Sequence, residues 1–308
     1  MKHKKIIFLA TLFSAGFMLA TGQAVKADSA TDTSQVANNS SVCSNTNSTK
    51  QRKKDIQNAA TAPVKDGWIN QNSKRFYFLK NCPVKGLKKI DRAWYLFDKN
   101  GVMLTGVRKL PHRNNYGYFD EDGRRQFANT NTNRAYYWIN KKGNITGIKN
   151  YAKVISQRPE MPTGCEITAV TMMINFAGKN ITKDQAARIM PRSLNPNKGF
   201  IGSPYKKFPL GFWVAPDGVK PVVKHYFGTA TNMTNFSISA INRKMIRSHL
   251  VVVWVGWFDG FSNHAITLTG YHGNTLYYND PWTGTKRAMN IENFKRHWRS
   301  DGHRALSY

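Results

Sequence analysis

Apolar and polar positions fall into distinct regimes along the 308-residue chain. A mostly apolar run, Ile6 to Ala20, sits behind Lys2, Lys4 and Lys5 and is followed by Val25-Lys26-Ala27. The run is short for a membrane span. With a basic segment ahead and small residues behind, it predicts a signal peptide over 1–27, cleaved between Ala27 and Asp28. No later apolar run is long enough to span a membrane, so no integral membrane segment is expected after cleavage. No cysteine follows the cleavage point at once, and the chain ends at Tyr308 without a sorting motif or apolar tail. Any attachment to a cell wall is therefore expected to be non-covalent.

Residues 28–64 carry no aromatic side chain, and 16 of these 37 residues are Ser, Thr or Asn. So little apolar surface cannot offset the entropy of ordering, which predicts a disordered linker. From 65 to 150 the pattern changes to short aromatic strands broken by polar turns. Phe76-Tyr77-Phe78 is followed by Trp94-Tyr95-Leu96-Phe97, Tyr116-Gly117-Tyr118-Phe119 and Tyr136-Tyr137-Trp138-Ile139. Turn glycines Gly101, Gly123 and Gly143 close the last three units at spacings of 22 and 20 residues. Asn-Gly and Asp-Gly turns between alternating strands predict hairpins, and stacking hairpins is what buries their aromatics.

From 151 onward the periods lengthen. Thr163 is expected to cap a helix from about Cys165 to Ala177, stopped by Gly178. Thr182 with Gln185 predicts a capping box for a second helix, to about Met190. Residues 191–235, rich in Pro, Gly and Lys, read as a long irregular connection. A weak helix follows from Ser237 to Ser248, then apolar strands from Leu250 to Trp257 and from His264 to Tyr271. Thr275 to Asn279 is expected to pair with the last across Gly273-Asn274. Helix first and strands after predict an α+β domain over 151–308.

Charge narrows the partners. The chain has a formal net charge of +29. The excess is even, with 18 basic against 6 acidic residues in 65–150 and 20 against 8 in 151–308. Such a surface favours polyanions. For an exported protein these are teichoic-type wall polymers and anionic lipids; no nucleic-acid motif accompanies the charge, so nucleic acid is not an expected partner.

Three cysteines are too few for a disulfide scaffold. Cys43 lies in the linker and Cys82 in a repeat turn, where they could pair and leave Cys165 free. Cys165 opens its helix behind Pro162-Thr163-Gly164, where orphan N–H groups and the dipole favour a thiolate. Such a nucleophile needs a base, and the base an orienting acceptor. A hairpin around Gly273 would bring His264 and Asp280 to the same open end of adjacent strands. Glu166 is read as a first-turn helix acid. The remaining histidines show no metal-ligand spacing and no phosphate-binding glycine loop occurs, so no metal or cofactor is expected.

Two resemblances follow from these residues. The hairpin units, from about Trp68 to Lys149, resemble the choline-binding and glucan-binding wall repeats of Gram-positive surface proteins. Thr105-Gly106 and Thr146-Gly147 fit the usual close of a unit, but Val107 and Ile148 stand where a tryptophan is usual. Gln157-Arg158-Pro159-Glu160-Met161-Pro162-Thr163-Gly164-Cys165-Glu166-Ile167-Thr168, with His264-Ala265-Ile266 and Asn279-Asp280-Pro281, is similar to the papain-like cysteine peptidases. Within them it resembles the stand-alone secreted relatives of the bacteriocin-leader (double-glycine) processing enzymes. That resemblance implies a papain-like α+β fold, with the Cys-bearing helix packed on an antiparallel sheet. It implies Cys165 as nucleophile, His264 as base, Asp280 as its orienter, and Gln157 with the Cys165 N–H as oxyanion donors. Leader cleavage itself is not expected, because no transporter accompanies the domain. The expected function is a secreted, wall-associated cysteine peptidase or amidase acting on a peptide substrate. The alternatives are a non-catalytic surface protein that binds wall carbohydrate or teichoic acid, and a basic protein acting on membranes through charge alone.

Overall fold

A computed structural model describes residues 65–111, 114–207 and 211–308. The expected signal peptide (1–27), the linker (28–64) and Cys43 lie outside them. Cys82 is disulfide-bonded, and Cys165 is a free, buried thiol.

The aromatic units form small antiparallel sheets. Strands β1 (Gly67–Gln71), β2 (Lys74–Leu79) and β3 (Cys82–Pro83) make the first, and β4 (Gly86–Ile90), β5 (Ala93–Phe97) and β6 (Met103–Leu104) the second. A third pairs β7 (Gly106–Lys109) with β8 (Tyr116–Phe119). The repeated turn has one local cause. In each, the Asp98, Asp120 or Asn140 side chain accepts from backbone N–H groups ahead of it, and its own carbonyl accepts from Gly101, Gly123 or Gly143. The three glycines sit at φ +83°, +81° and +71°, a region where a Cβ is strained. Stacking of successive units buries Val84, Ile90, Tyr95 and Phe97 in one cluster and Leu96, Leu110 and Phe119 in the next.

The last hairpin behaves differently. β9 (Thr130–Asn131), β10 (Ala135–Ile139) and β11 (Ile145–Asn150) join a nine-stranded antiparallel sheet with β12 (Thr231–Asn232), β13 (Val251–Val255), β14 (His264–His272), β15 (Thr275–Asp280), β16 (Thr285–Asn290) and β17 (Ala305–Ser307). The unit read from sequence as the final repeat is thus hydrogen-bonded into the following region, through β11 against β14. Two glycines permit the approach. A Cβ on Gly270 would lie 2.0 Å from the Ile148 carbonyl oxygen, and one on Gly147 2.7 Å from that of Tyr271. Ile148, where a repeat tryptophan is usual, is wholly buried in this sheet rather than lining a cage.

Helices cover both faces. On one lie α1 (Cys165–Phe176), α2 (Lys183–Ile189) and α3 (Pro216–Phe227), packed on Val252, Trp254, Ala265 and Leu306. On the other lie α4 (Ile238–Ile246) and α5 (Ile291–Ser300), packed on Val251, Val253, Val255, Ile266 and Leu268. The two-residue period of a strand sends neighbouring β13 side chains to opposite cores, which is why its sequence is an unbroken apolar run. This α+β architecture behind a hairpin-repeat array is the expected fold class.

Two local expectations need correction. Thr163 does not cap α1: the N-cap is Gly164 without a side-chain bond, and the Thr163 hydroxyl donates to the Ser203 and Lys206 carbonyls. Residues 191–235 are not irregular throughout, because α3 runs through them despite Pro216, Gly218 and Pro221. Pro216 falls at a first-turn position, where its missing N–H costs little. Gly218 allows contact with the Pro196 carbonyl, 2.2 Å from where its Cβ would stand. Burial of Val219, Val222 and Val223 then outweighs the bond lost at Pro221. The amphipathic α5 was also missed, since its buried stripe is only Phe294 and Trp298. The capping box at Thr182 and Gln185 is present in both directions.

Candidate active site

Helix α1 is buried on every side from Cys165 to Ile174. Its β-branched run has weak intrinsic helicity, so burial between sheet and helices holds it. Thr267 on β14 donates to the Ala169 carbonyl at 2.9 Å, fixing the helix across the sheet. Cys165 takes the first helical position, behind a loop folded by the Gly164 N–H to Met161 carbonyl bond. That loop is tied to the end of β15 by the Gln157 N–H, which donates to the Pro281 carbonyl at 2.8 Å.

His264 opens β14 and is buried between Phe258 and Phe261, whose ring centroids lie 6.1 and 5.3 Å from its own. Its Nε2 lies 2.9 Å from Asp280 Oδ1. Oδ1 also accepts from the Trp282 N–H at 2.9 Å, while Oδ2 accepts from Thr283 Oγ1 at 3.0 Å and Arg287 Nη1 at 3.1 Å. Arg287, on β16, also pairs with Asp259. Burial alone would push the Asp280 carboxyl up. The His264 bond and charge, with the Trp282 and Thr283 bonds, hold it well below the usual carboxylate range instead. An ionised Asp280 requires a hydrogen on His264 Nε2, which leaves Nδ1 as the ring nitrogen able to take a proton.

At the start of the same strand the Ala265 backbone amide favours the charged form of the Cys165 sulfur. Helix α1, which Cys165 opens, packs on β14, whose first residue His264 is bonded to Asp280 at the end of β15. The helix N-terminus, which favours a thiolate, is not the largest influence on the thiol. Burial, then the neighbouring Glu166 charge, pushes it well up, outweighing the helix N-terminus. Its S–H donates to Glu166 Oε2 at 3.2 Å. Glu166 is a first-turn acid, as read from sequence; it is wholly buried, and its Oε1 accepts from the Val214 N–H at 3.1 Å.

Gln157 is also buried, with Nε2 donating to the Met161 and Pro162 carbonyls at 3.2 Å each and Oε1 without a partner. Its amide shapes the loop that leads to Cys165. Arg287, Asp259 and the two phenylalanines were not singled out from sequence. Nothing in their local spacing marks them, because β16 and the 256–261 turn reach the site only through the sheet. Among the described residues, no group of three or more His, Cys, Asp or Glu side chains could hold a metal ion.

The profile of the Peptidase_C39 like family matches residues 145–306 of this chain. The chain belongs to that family. In this C39-like protein a choline-binding repeat is also matched, over residues 84–130. The matched span begins at the first residue of β11, in keeping with the strand's place in the large sheet. Similar proteins include the uncharacterized protein YvpB of Bacillus subtilis, 26% identical over 178 residues, covering 48% of this chain and 70% of that one. A crystal structure of a putative C39-like peptidase from Bacillus anthracis is 25% identical, with TM-score 0.48, covering 51% of this chain and 94% of that one. The choline-binding domain of Spr1274 from Streptococcus pneumoniae is 20% identical, with TM-score 0.24, covering 28% of this chain and 98% of that one. No helix among the described residues of the C39-like chain is long and apolar enough to cross a membrane.

Proposed function

We propose that the protein is an exported cysteine peptidase or amidase, held non-covalently at the cell wall by its hairpin repeats. One observation carries the reading. A fully bonded, ionised Asp280 fixes the tautomer of His264 beside the only free thiol among the described residues. Such an arrangement has no evident structural purpose at a strand end.

His264 Nδ1 takes the Cys165 proton as the sulfur attacks the substrate carbonyl, forming a tetrahedral adduct. Asp280 stabilises the resulting imidazolium. Imidazolium His264 then protonates the leaving amine, giving an acyl-enzyme. Water, deprotonated by the same imidazole, releases the acid and restores the thiol. The Cys165 backbone N–H, orphaned at the first helical position, faces the charge that develops on the carbonyl oxygen. Gln157 supplies the second donor if its amide leaves one of its two carbonyl acceptors on substrate binding.

The substrate class is a peptide of the wall or of its surroundings. The match to a choline-binding repeat and the even positive charge support wall polymers as the repeats' partner. The test is hydrolysis of purified wall fragments and of a peptide library by the secreted chain, 28–308, beside Cys165→Ala and His264→Ala. Loss of all cleavage in both variants, with binding to walls retained, is the expected result. Cleavage that survives Cys165→Ala overturns the mechanism, and absence of any cleavage favours a non-catalytic wall-binding protein.

A further inference from the structure

Glu166 is a buried carboxyl for which the proposed mechanism has no use. A first-turn acid normally gains from the dipole while remaining in water. Glu166 instead has 0% exposure, and a buried carboxylate is costly unless donors replace its hydration. Two donors reach its oxygens: the Val214 N–H on Oε1, at 3.1 Å, and the Cys165 S–H on Oε2, at 3.2 Å. Val214 is held in turn by its own carbonyl, which accepts from Trp254 Nε1 at 2.8 Å. The carboxyl is thus fixed by the Val214 backbone on one oxygen and bonded by the Cys165 thiol on the other.

We propose that Glu166 is a positioning residue for the nucleophile: its carboxylate takes the S–H bond, keeping Cys165 a neutral, oriented thiol until His264 draws the proton away. The meaning of this inference rests on the peptidase reading, but its test does not. Proton bookkeeping is simple. The thiol proton passes to His264 during attack and then to the leaving amine, and Glu166 ends as it began.

The charged neighbours agree with the assignment. Within α1 the partner is Cys165 itself. His264, on β14, is held by Asp280. From the end of α5 comes Asp301, which is paired with Arg304 and bonded to Asn263. Burial foremost raises the Glu166 carboxyl to about 7, and the thiol is raised in turn by burial and by Glu166. Two anions side by side without water are disfavoured, so the pair keeps at least one proton at neutral pH.

The experiment is alkylation of Cys165 by iodoacetamide from pH 5 to 10, followed by peptide mapping, in the full secreted chain and in Glu166→Gln. Glutamine keeps the length and the acceptor for Val214 while removing the charge. In the unaltered protein the rate should still be rising at pH ~8.5, the midpoint of a free thiol. In Glu166→Gln the midpoint should fall, and each pH unit of fall makes labelling about tenfold faster below it. An unchanged midpoint reduces Glu166 to a structural bond to Val214 and overturns the proposal. A raised midpoint overturns it too, since the carboxylate would then be acting as a base. Should Glu166→Gln not fold, a midpoint well below pH ~8.5 in the unaltered protein is sufficient refutation. Labelling needs no substrate, so a protein that cleaves nothing still answers this question.

Discussion

Replacing Asp280 by Asn tests the site and its electrostatics together. Asp280 accepts four hydrogen bonds at 0% exposure, two on each oxygen. Asparagine keeps one acceptor oxygen and turns the other into a donor. With its oxygen toward His264 and Trp282, its NH2 faces the Arg287 guanidinium, which cannot accept. Thr283 can rotate to accept, being already within 2.8 Å of Thr285 Oγ1. One charge-assisted bond is then lost, worth about 1.5–3 kcal/mol. Arg287 keeps Asp259, which limits the damage. The opposite flip forces His264 to accept at Nε2 and to carry its proton on Nδ1, so the ring can no longer take the thiol proton. In either orientation the imidazolium loses its counter-charge, and hydrolysis should fall by roughly 10²–10⁴-fold.

The same replacement predicts a pH signature in stability. The Asp280 carboxyl is held below its ordinary value in the folded chain. Its stabilisation is therefore complete above the unfolded value, about 3.9, and is lost as pH falls through the folded one. Urea unfolding of the two proteins should differ by about 1.5–3 kcal/mol at pH 7, and the gap should close progressively below pH ~4. A gap independent of pH, or one below about 0.5 kcal/mol at pH 7, would falsify the claim that an ionised Asp280 is fixed by these four donors.

Other consequences are simpler to check. Gly270→Ala places a methyl 2.0 Å from the Ile148 carbonyl oxygen and should cost more than about 2 kcal/mol, seen as a clear drop in Tm; an unchanged Tm would mean that β11 does not lie where described. Thr182→Ala removes the side-chain half of a capping box, leaving the backbone N–H of residue 182 on Gln185, and should cost about 1 kcal/mol by urea titration, with no effect on Cys165 labelling. Trp254→Ala empties a site between α1 and α3 and also orphans the Val214 carbonyl; a loss of about 3–5 kcal/mol is expected, and a loss under 1 would contradict its burial. Wall binding driven by charge should weaken as NaCl rises from 0.05 to 0.5 M, whereas binding unaffected by salt would point to the repeat aromatics.

Much of the local structure was legible because its causes are local. An Asp or Asn, with a Gly three residues on, closes each of three repeat turns by bonds within the turn itself. The capping box at Thr182 likewise needs only its own four residues. Pairing of β14 with β15 follows from one Gly-Asn turn, and that hairpin brings His264 to Asp280. Elements stabilised from a distance were misread. Helix α3 contains two prolines and a glycine, and it exists because its valines find a core built by other segments. The Thr163 hydroxyl leaves its expected cap for carbonyls some 40 residues away.

The same division runs through the site. Sequence order and turn chemistry by themselves determined the hairpin repeats and the paired strand ends that bear His264 and Asp280, whereas burial, not the expected Thr163 cap, holds the helix that starts at Cys165. Tertiary structure alone decided that the last hairpin belongs to the large sheet, that Arg287 reaches Asp280, and that Glu166 is buried against the sulfur rather than exposed to water. Charge placement of that kind depends on which surfaces lose their solvent. Burial is set by the whole packed chain, so the protonation of Cys165 could not be read from the helix that carries it.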